Sequence, residues 1–230
     1  PFINAILRIK FTKEQVTTMS LDGFSTQPLV RELRAALLGG RIDKITQPTK
    51  ASVFLSIRQP GRNHLLHIAA SPQASAVFLA TKPTENPAEP PLFCMVLRKQ
   101  LEGSRIADIR QHSLDRILCF DFDSLAAGGK IVTKTLIVEL IGKYSNIILV
   151  QDGVVIDALK KVGSANSRTR LILPAREYAP PPAQEKLDLR TVKPDIIVER
   201  LAQDEEATLG KGLLNVCLGF GPVSTREVIF

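Results

Sequence analysis

An acid and a base stand side by side at Asp115 and Arg116, where a polar break gives way to an apolar run. From there Arg116, Leu118, Phe120 and Phe122 alternate with Ile117, Cys119 and Asp121, the period-two pattern of a strand. Neighbouring side chains of a regular strand point to opposite faces. The pair is therefore poorly placed to neutralise itself, and each member is free to meet a different partner. Two outcomes fit the spacing. One member closes a cross-strand ion pair at a hairpin mouth, a common and weak arrangement, or both are left for a ligand. A second β-type run before the polar break makes Ile106–Phe122 the frame of the candidate site.

Overall charge indicates the kind of ligand. The chain carries 30 Lys and Arg against 23 Asp and Glu, a net +7, with a pI near 9.5. Such a balance suits an anionic partner, most commonly nucleic acid, with a solvated basic surface as the alternative. At 230 residues and 44% hydrophobic content, the chain can build one large or two modest domains with a real core. No apolar run is long enough to span a bilayer, so no membrane partner is expected. Cys94, Cys119 and Cys217 are far apart and form no C-x-x-C pair. That argues against a disulfide framework and a zinc site, and for buried thiols in a reducing, cytoplasmic setting. His64 and His67 would fall on opposite faces of a strand, so neither a metal nor another cofactor is expected.

The elements that must position the pair follow from punctuation. Residues 1–18 hold an apolar run too short for a secretory signal and read as a leader or an added tail before the domain at 19–182. Asp22-Gly23 is turn chemistry, or else a buried or site-facing acid. Ser25 or Thr26 caps a first helix with Pro28 in its first turn, and Gly39-Gly40 ends it. Strands are expected over 41–47, 52–58, 65–69 and 76–81, separated by proline and glycine turns, then a helix over 91–102 in which Arg98 and Glu102 can pair. Further strands are expected over 136–141, 147–150 and 154–159, with Asp152-Gly153 as a hairpin turn. Short strands with regular breaks argue for an antiparallel sheet or sandwich. Pro180-Pro181-Pro182 marks a boundary. Beyond it, helices over 195–201 and 209–218 lead to Gly219-Phe220-Gly221-Pro222 and a helix starting at Ser224 or Thr225. That layout is either a phosphate-binding helix-hairpin-helix or a plain corner between helices. Residues 183–230 therefore read as the start of a second domain. Arg41, Lys44, Arg98, Lys99, Lys143, Lys160, Lys161, Arg168 and Arg170 are candidate phosphate contacts. The densest basic segment, around 160–176, is laced with glycine, serine and asparagine.

Several stretches together resemble one family. They are Met19-Ser-Leu-Asp22-Gly23, Gly40–Ile45, Pro90–Lys99, Leu101-Glu102-Gly103, Leu114–Ile117, Gly142-Lys143-Tyr144-Ser145-Asn146 and Leu173-Pro174. Their order and spacing are similar to the NFACT family, which contains RqcH-type ribosome quality control factors long labelled fibronectin/fibrinogen-binding proteins. The resemblance implies an α+β fold, an antiparallel β-rich domain similar to the N-terminal domain of formamidopyrimidine-DNA glycosylase, followed by the start of a helix-hairpin-helix domain. It implies a tRNA-positioning factor, not an enzyme. Such a factor recruits alanyl-tRNA to obstructed large ribosomal subunits holding peptidyl-tRNA, for alanine tailing of the stalled chain. The family's acid–arginine pair falls on Asp115 and Arg116, its early aspartate on Asp22, and a further tRNA-facing patch on Glu139, Leu140 and Ile141. In that role Arg116 forks a phosphate or a base edge, and Asp115 accepts from a 2′-hydroxyl or a base amine. Two other readings stay open. One is a surface adhesin binding fibronectin, as the older label suggests. The other is a DNA glycosylase using Pro1 as nucleophile, although Phe2 stands where such a site wants an acid.

Overall fold

Alternating apolar residues between turn signals produce a single antiparallel sheet of nine strands, in the order β4-β3-β2-β1-β5-β6-β7-β8-β9. The computed structural model describes residues 21–165, 170–203 and 207–229, and the backbone alone at Ala127. The strands are β1 (Arg41–Thr49), β2 (Ser52–Gln59), β3 (Arg62–Ala70), β4 (Ser75–Leu79), β5 (Arg105–Gln111), β6 (Ile117–Leu125), β7 (Ile131–Glu139), β8 (Asn146–Gln151) and β9 (Val154–Ala158). Helix α1 (Gly23–Leu37) precedes the sheet and α2 (Leu92–Leu101) links β4 to β5. Helices α3 (Pro194–Ala202), α4 (Leu209–Val216) and α5 (Pro222–Ile229) follow the proline-rich segment.

The core explains the arrangement. Leu33 and Leu37 of α1 and Cys94, Leu97 and Leu101 of α2 are fully buried against Ile45, Leu55, Leu66, Phe120, Phe122, Leu136 and Leu149. The sheet bends so that β3 meets β7. A smaller cluster, including Ile117, Cys119, Ile137, Ile148, Val155 and Ile172, covers the other face of β6–β9. Both faces of that half are thus buried, and β8 reads as a continuous apolar run for that reason. All three cysteines are buried free thiols, and burial in the second cluster pushes the Cys119 thiol up to about 11.

Pairing between β1 and β5 is restricted to Arg41 opposite Arg105. Side chains of α2 and of its C-cap Glu102 satisfy the gap beyond it. Glu102 Oε1 accepts from the Ile45 amide (2.9 Å) and Arg98 Nε donates to the Ile45 carbonyl (2.8 Å). The expected Arg98–Glu102 ion pair forms at 4.0 Å.

Three local expectations are corrected. The cap of α1 is Asp22, one turn before Ser25, with Ser25 as its reciprocal partner, and Pro28 lies inside the helix. Strand β7 begins at Ile131, where a later start was expected. Strand β6 begins at Ile117, which leaves Asp115 and Arg116 on the preceding turn.

Candidate nucleic-acid interface

That turn is held by its backbone and by Leu114. Amide bonds run from His112 to the Ile117 carbonyl (3.0 Å) and from Asp115 to the His112 carbonyl (3.1 Å). Ser113 takes a positive φ of 52°, a conformation that costs a non-glycine residue. Gln111 Nε2 donates to the Asp115 carbonyl (2.9 Å) and also to that of Gly23 (2.7 Å). The Leu140 amide donates to the Arg116 carbonyl (2.8 Å). Both carbonyls of the pair are thus anchored while both side chains stand half-exposed. Among the described residues neither the Asp115 carboxylate nor the Arg116 guanidinium makes a hydrogen bond or an ion pair. The cross-strand pair that the spacing allowed does not form. An acid and a base are thus left available on a pinned backbone.

The neighbouring turn contributes an aromatic side chain that sequence reasoning passed over. Residues Gly142–Tyr144 form a 3-10 turn directly after Ile141. Tyr144 is 66% exposed, with Lys143 Nζ 5.0 Å from its ring centroid. An exposed ring beside a cation is a stacking platform for a base. The signal was an isolated tyrosine inside the polar Gly142–Asn146 segment, in a chain with only two tyrosines.

Asp22 is buried, and its two oxygens serve two helices. Oδ1 accepts from the Ser25 amide and hydroxyl, both at 2.8 Å, closing a capping box on α1. Oδ2 accepts from the Gly221 amide (3.1 Å) at the entry to α5. Burial alone would raise its carboxyl, but hydrogen bonds from Ser224 and Ser25 outweigh that and hold it below the usual carboxylate range. The Gly219–Gly221 corner is thereby drawn onto α1. The Phe24 amide donates to the Gly219 carbonyl (3.2 Å), and the Phe24 and Phe220 rings meet edge-on at 4.9 Å. A Cβ on Gly23 would lie 1.8 Å from the Leu114 carbonyl oxygen, and one on Gly221 would lie 2.6 Å from Asp22 Cβ. Only glycine allows these approaches. The Gly221 amide, a candidate phosphate donor by sequence, is occupied by Asp22.

Glu139 is also internal. It is fully buried, and Arg170 grips both its oxygens, Nη1 donating to Oε2 (2.9 Å) and Nη2 to Oε1, while Tyr178 Oη donates to Oε1 (2.8 Å). Leu140 is buried and Ile141 half-buried. Their contribution to the candidate site is the Leu140 amide beneath Arg116. Among the described residues no group of three or more His, Cys, Asp and Glu side chains is placed to hold a metal.

Residues 22–230 match the family model described as NFACT N-terminal and middle domains. The chain belongs to the NFACT family. It is 38% identical over 213 residues to the Rqc2 homolog RqcH of Bacillus subtilis, a match covering 92% of this chain and 37% of that protein. The chain therefore spans well under half the length of that relative. Among solved structures, the N-terminal domain of the fibronectin-binding protein PavA from Streptococcus pneumoniae superposes with a TM-score of 0.81 at 36% identity, covering 91% of this chain and 78% of that one. The N-terminal part of the fibronectin/fibrinogen-binding protein from Streptococcus suis gives 0.81 at 40% identity, with the same coverage.

Within this NFACT fold the basic candidates divide by what their nitrogens already do. Arg170 also donates from Nε to the Ala179 carbonyl (2.6 Å), and its side chain is only 16% exposed. Lys160 Nζ donates to the carbonyls of Ala70 (2.9 Å) and Ser145 (2.7 Å), stitching the ends of β3 and β7–β8 together; burial lowers its pKa. Arg98 serves Ile45. These three have structural work within the protein. Lys161 pairs with Asp157 at 3.2 Å and stays 46% exposed. Lys44, Lys99 and Lys143 are exposed, and Arg41 is exposed and paired with Asp43. Arg168 lies outside the described residues.

Proposed function

We propose that this chain is the tRNA-holding N-terminal part of a ribosome quality control factor. In the whole protein it recruits alanyl-tRNA to obstructed large ribosomal subunits that retain peptidyl-tRNA, for alanine tailing of the stalled chain. It acts in the cytoplasm and positions RNA without making or breaking bonds itself. Kinship to the RqcH homologue supports the class. One observation carries the residue assignment: an unpaired acid and base on a turn whose carbonyls are pinned from both sides. Arg116 forks a phosphate or base edge and Asp115 accepts from a 2′-hydroxyl or base amine, while Tyr144 offers a stacking face. Asp22, Glu139, Leu140 and Ile141 serve the same RNA indirectly, by fixing the turns that carry these side chains.

Fluorescence anisotropy with labelled alanine tRNA tests this. Removing one forked contact costs about 1–3 kcal/mol, so Arg116→Ala is expected to weaken binding roughly tenfold, and Asp115→Ala to a similar degree. Both variants keep the wild-type unfolding midpoint, since neither side chain holds the fold. Unchanged affinity in the Asp115→Ala, Arg116→Ala double variant removes the pair from the RNA site. Binding to immobilised fibronectin that survives in that variant while tRNA binding is absent throughout favours the adhesin reading.

A further inference from the structure

A second charged feature lies at the other end of β5. Arg41 of β1 is directly opposite Arg58 of β2 on one side and Arg105 of β5 on the other. Residues in direct register share a face of the sheet, so three guanidiniums stand in one row across three strands. Strands are about 4.8 Å apart, which makes the row roughly 10 Å long. Like charges in direct register repel, and little here offsets them. Asp43 reaches the row from β1, with Oδ1 3.0 Å from Arg41 and Oδ2 2.6 Å from Arg58. Arg105 Nη1 donates to the Gly39 carbonyl at the end of α1 (3.1 Å), where a helix dipole favours a cation. Asp123 is next in register after Arg105, yet its carboxylate accepts from Thr133 Oγ1 (2.6 Å) and forms no ion pair with Arg105. Asp43 thus pairs with two of the three guanidiniums, and Asp123 lies beside the third in register without pairing with it. The Arg58 and Arg41 side chains are 62% and 47% exposed, and Arg105 is exposed too. A guanidinium carries five N–H donors, and each of these has one contact.

We propose that Arg58, Arg41 and Arg105 form a site for the sugar-phosphate backbone of RNA, separate from the Asp115–Arg116 turn. The geometry fits a polyanion better than a single anion, because the donors are spread along a line across three strands. It suits backbone contact better than base readout, because the three side chains stand exposed in a row across the strands. Strand β5 separates the row from the turn by roughly 20 Å, at about 3.4 Å per residue. One folded RNA can therefore rest its backbone on the row while presenting another part to Asp115 and Arg116. The identity of the anion as RNA rests on the function proposed above; the site itself does not.

The test measures the salt dependence of binding to a labelled RNA hairpin of arbitrary sequence and to alanine tRNA, using the full chain. Each phosphate neutralised adds about 0.7–0.9 to the slope of log K against log salt. Arg58→Gln with Arg105→Gln is expected to flatten that slope by about 1.4–1.8 for both RNAs alike, with the unfolding midpoint unchanged or raised because repulsion is relieved. Arg58→Lys with Arg105→Lys keeps the slope, which shows that the glutamine variant acts through charge. An unchanged slope in the glutamine variant overturns the proposal, as does a wild-type chain that binds neither RNA. Loss of binding to phosphatidylserine vesicles with the RNA slope intact overturns it in favour of a membrane surface. If the glutamine variant flattens the slope while Arg116→Ala leaves tRNA affinity untouched, the row stands and the assignment of the hairpin turn fails.

Discussion

Glu139→Ala removes one half of a buried ion pair. The variant leaves Arg170 with its charge, 16% of its side chain exposed, and without the Glu139 carboxylate that it grips. Tyr178 loses its acceptor at the same time; burial and the neighbouring Glu139 charge already raise its hydroxyl pKa above the ordinary value. Breaking a buried pair from one side costs about 3–5 kcal/mol, because the remaining charge stays desolvated and uncompensated. For a chain of this size each kcal/mol is worth about 2–4 °C, so the midpoint is expected to fall by roughly 6–20 °C. Replacing both partners behaves differently. Glu139→Leu with Arg170→Met removes both charges, and most of the loss is expected to return. Urea unfolding of the two single variants and the double variant forms a cycle whose coupling is expected to exceed about 2 kcal/mol. The tRNA affinity of folded Glu139→Leu, Arg170→Met protein is expected to stay within about threefold of wild type, because Glu139 is buried and only 16% of the Arg170 side chain is exposed. Single variants that each cost less than about 1 kcal/mol, or simple additivity, refute the reasoning. So does a large loss of tRNA affinity in the stable double variant, which would make Glu139 a direct contact.

Asp22 and Gly23 carry the other expectations. Asp22→Ala removes a cap from each of two helices, at about 0.5–2 kcal/mol per cap, and amide exchange over 219–229 is expected to quicken more than exchange within β2 and β3. The folded-state pKa of Asp22 is lowered, so its contribution is present above the unfolded value near 3.9 and is lost as pH falls through the folded value. Asp22→Asn is therefore expected to flatten the acid limb of the stability curve below about pH 4, and an identical limb in the two proteins contradicts the shift. Gly23→Ala puts a Cβ where the Leu114 carbonyl and Gly219 Cα already lie, 1.8 and 2.6 Å away. It is expected to cost about 1–3 kcal/mol as the backbone yields and to weaken tRNA binding with Asp115 and Arg116 intact. Wild-type affinity in Gly23→Ala shows that the turn tolerates the displacement.

The strands were legible because their signals are local. Glycine and proline punctuation placed β2, β3, β8 and β9 within a few residues, and the Asp152-Gly153 turn joins β8 to β9 with both residues at positive φ. The helix start was misread because Ser25 and Thr26 are good caps in isolation. Choosing Asp22 required knowing that Ser25 Oγ would accept in return from the Asp22 amide. Site geometry was less legible because its decisive contacts are distant in sequence. The Asp22–Gly221 bond joins residues 199 positions apart, and Glu139 meets Arg170 across 31. No periodicity distinguishes a carboxylate that holds the protein together from one that waits for a ligand. The basic segment likewise offered Arg170 and Lys160 as candidate phosphate contacts, and the fold engages both with its own acceptors.

These assignments separate two kinds of charged residue that a family motif treats alike. Asp22 and Glu139 are buried and fully bonded, so their loss is felt through the frame. Asp115 and Arg116 are unbonded at the side chain and held only by backbone, so their loss leaves the frame intact. The connection between the groups is physical. Gln111 bonds both the Asp115 carbonyl and the Gly23 carbonyl, Gly23 belongs to the helix start that Asp22 caps, and the amide beneath Arg116 comes from the residue after Glu139. A turn exposed to solvent would ordinarily sample many positions, and a forked contact tolerates little displacement. Binding through unpaired side chains at the tip of a hairpin therefore requires that the hairpin be fixed from beneath. In this chain Asp22 fixes it from the α1 side and the β7 end that Glu139 anchors fixes it from the other.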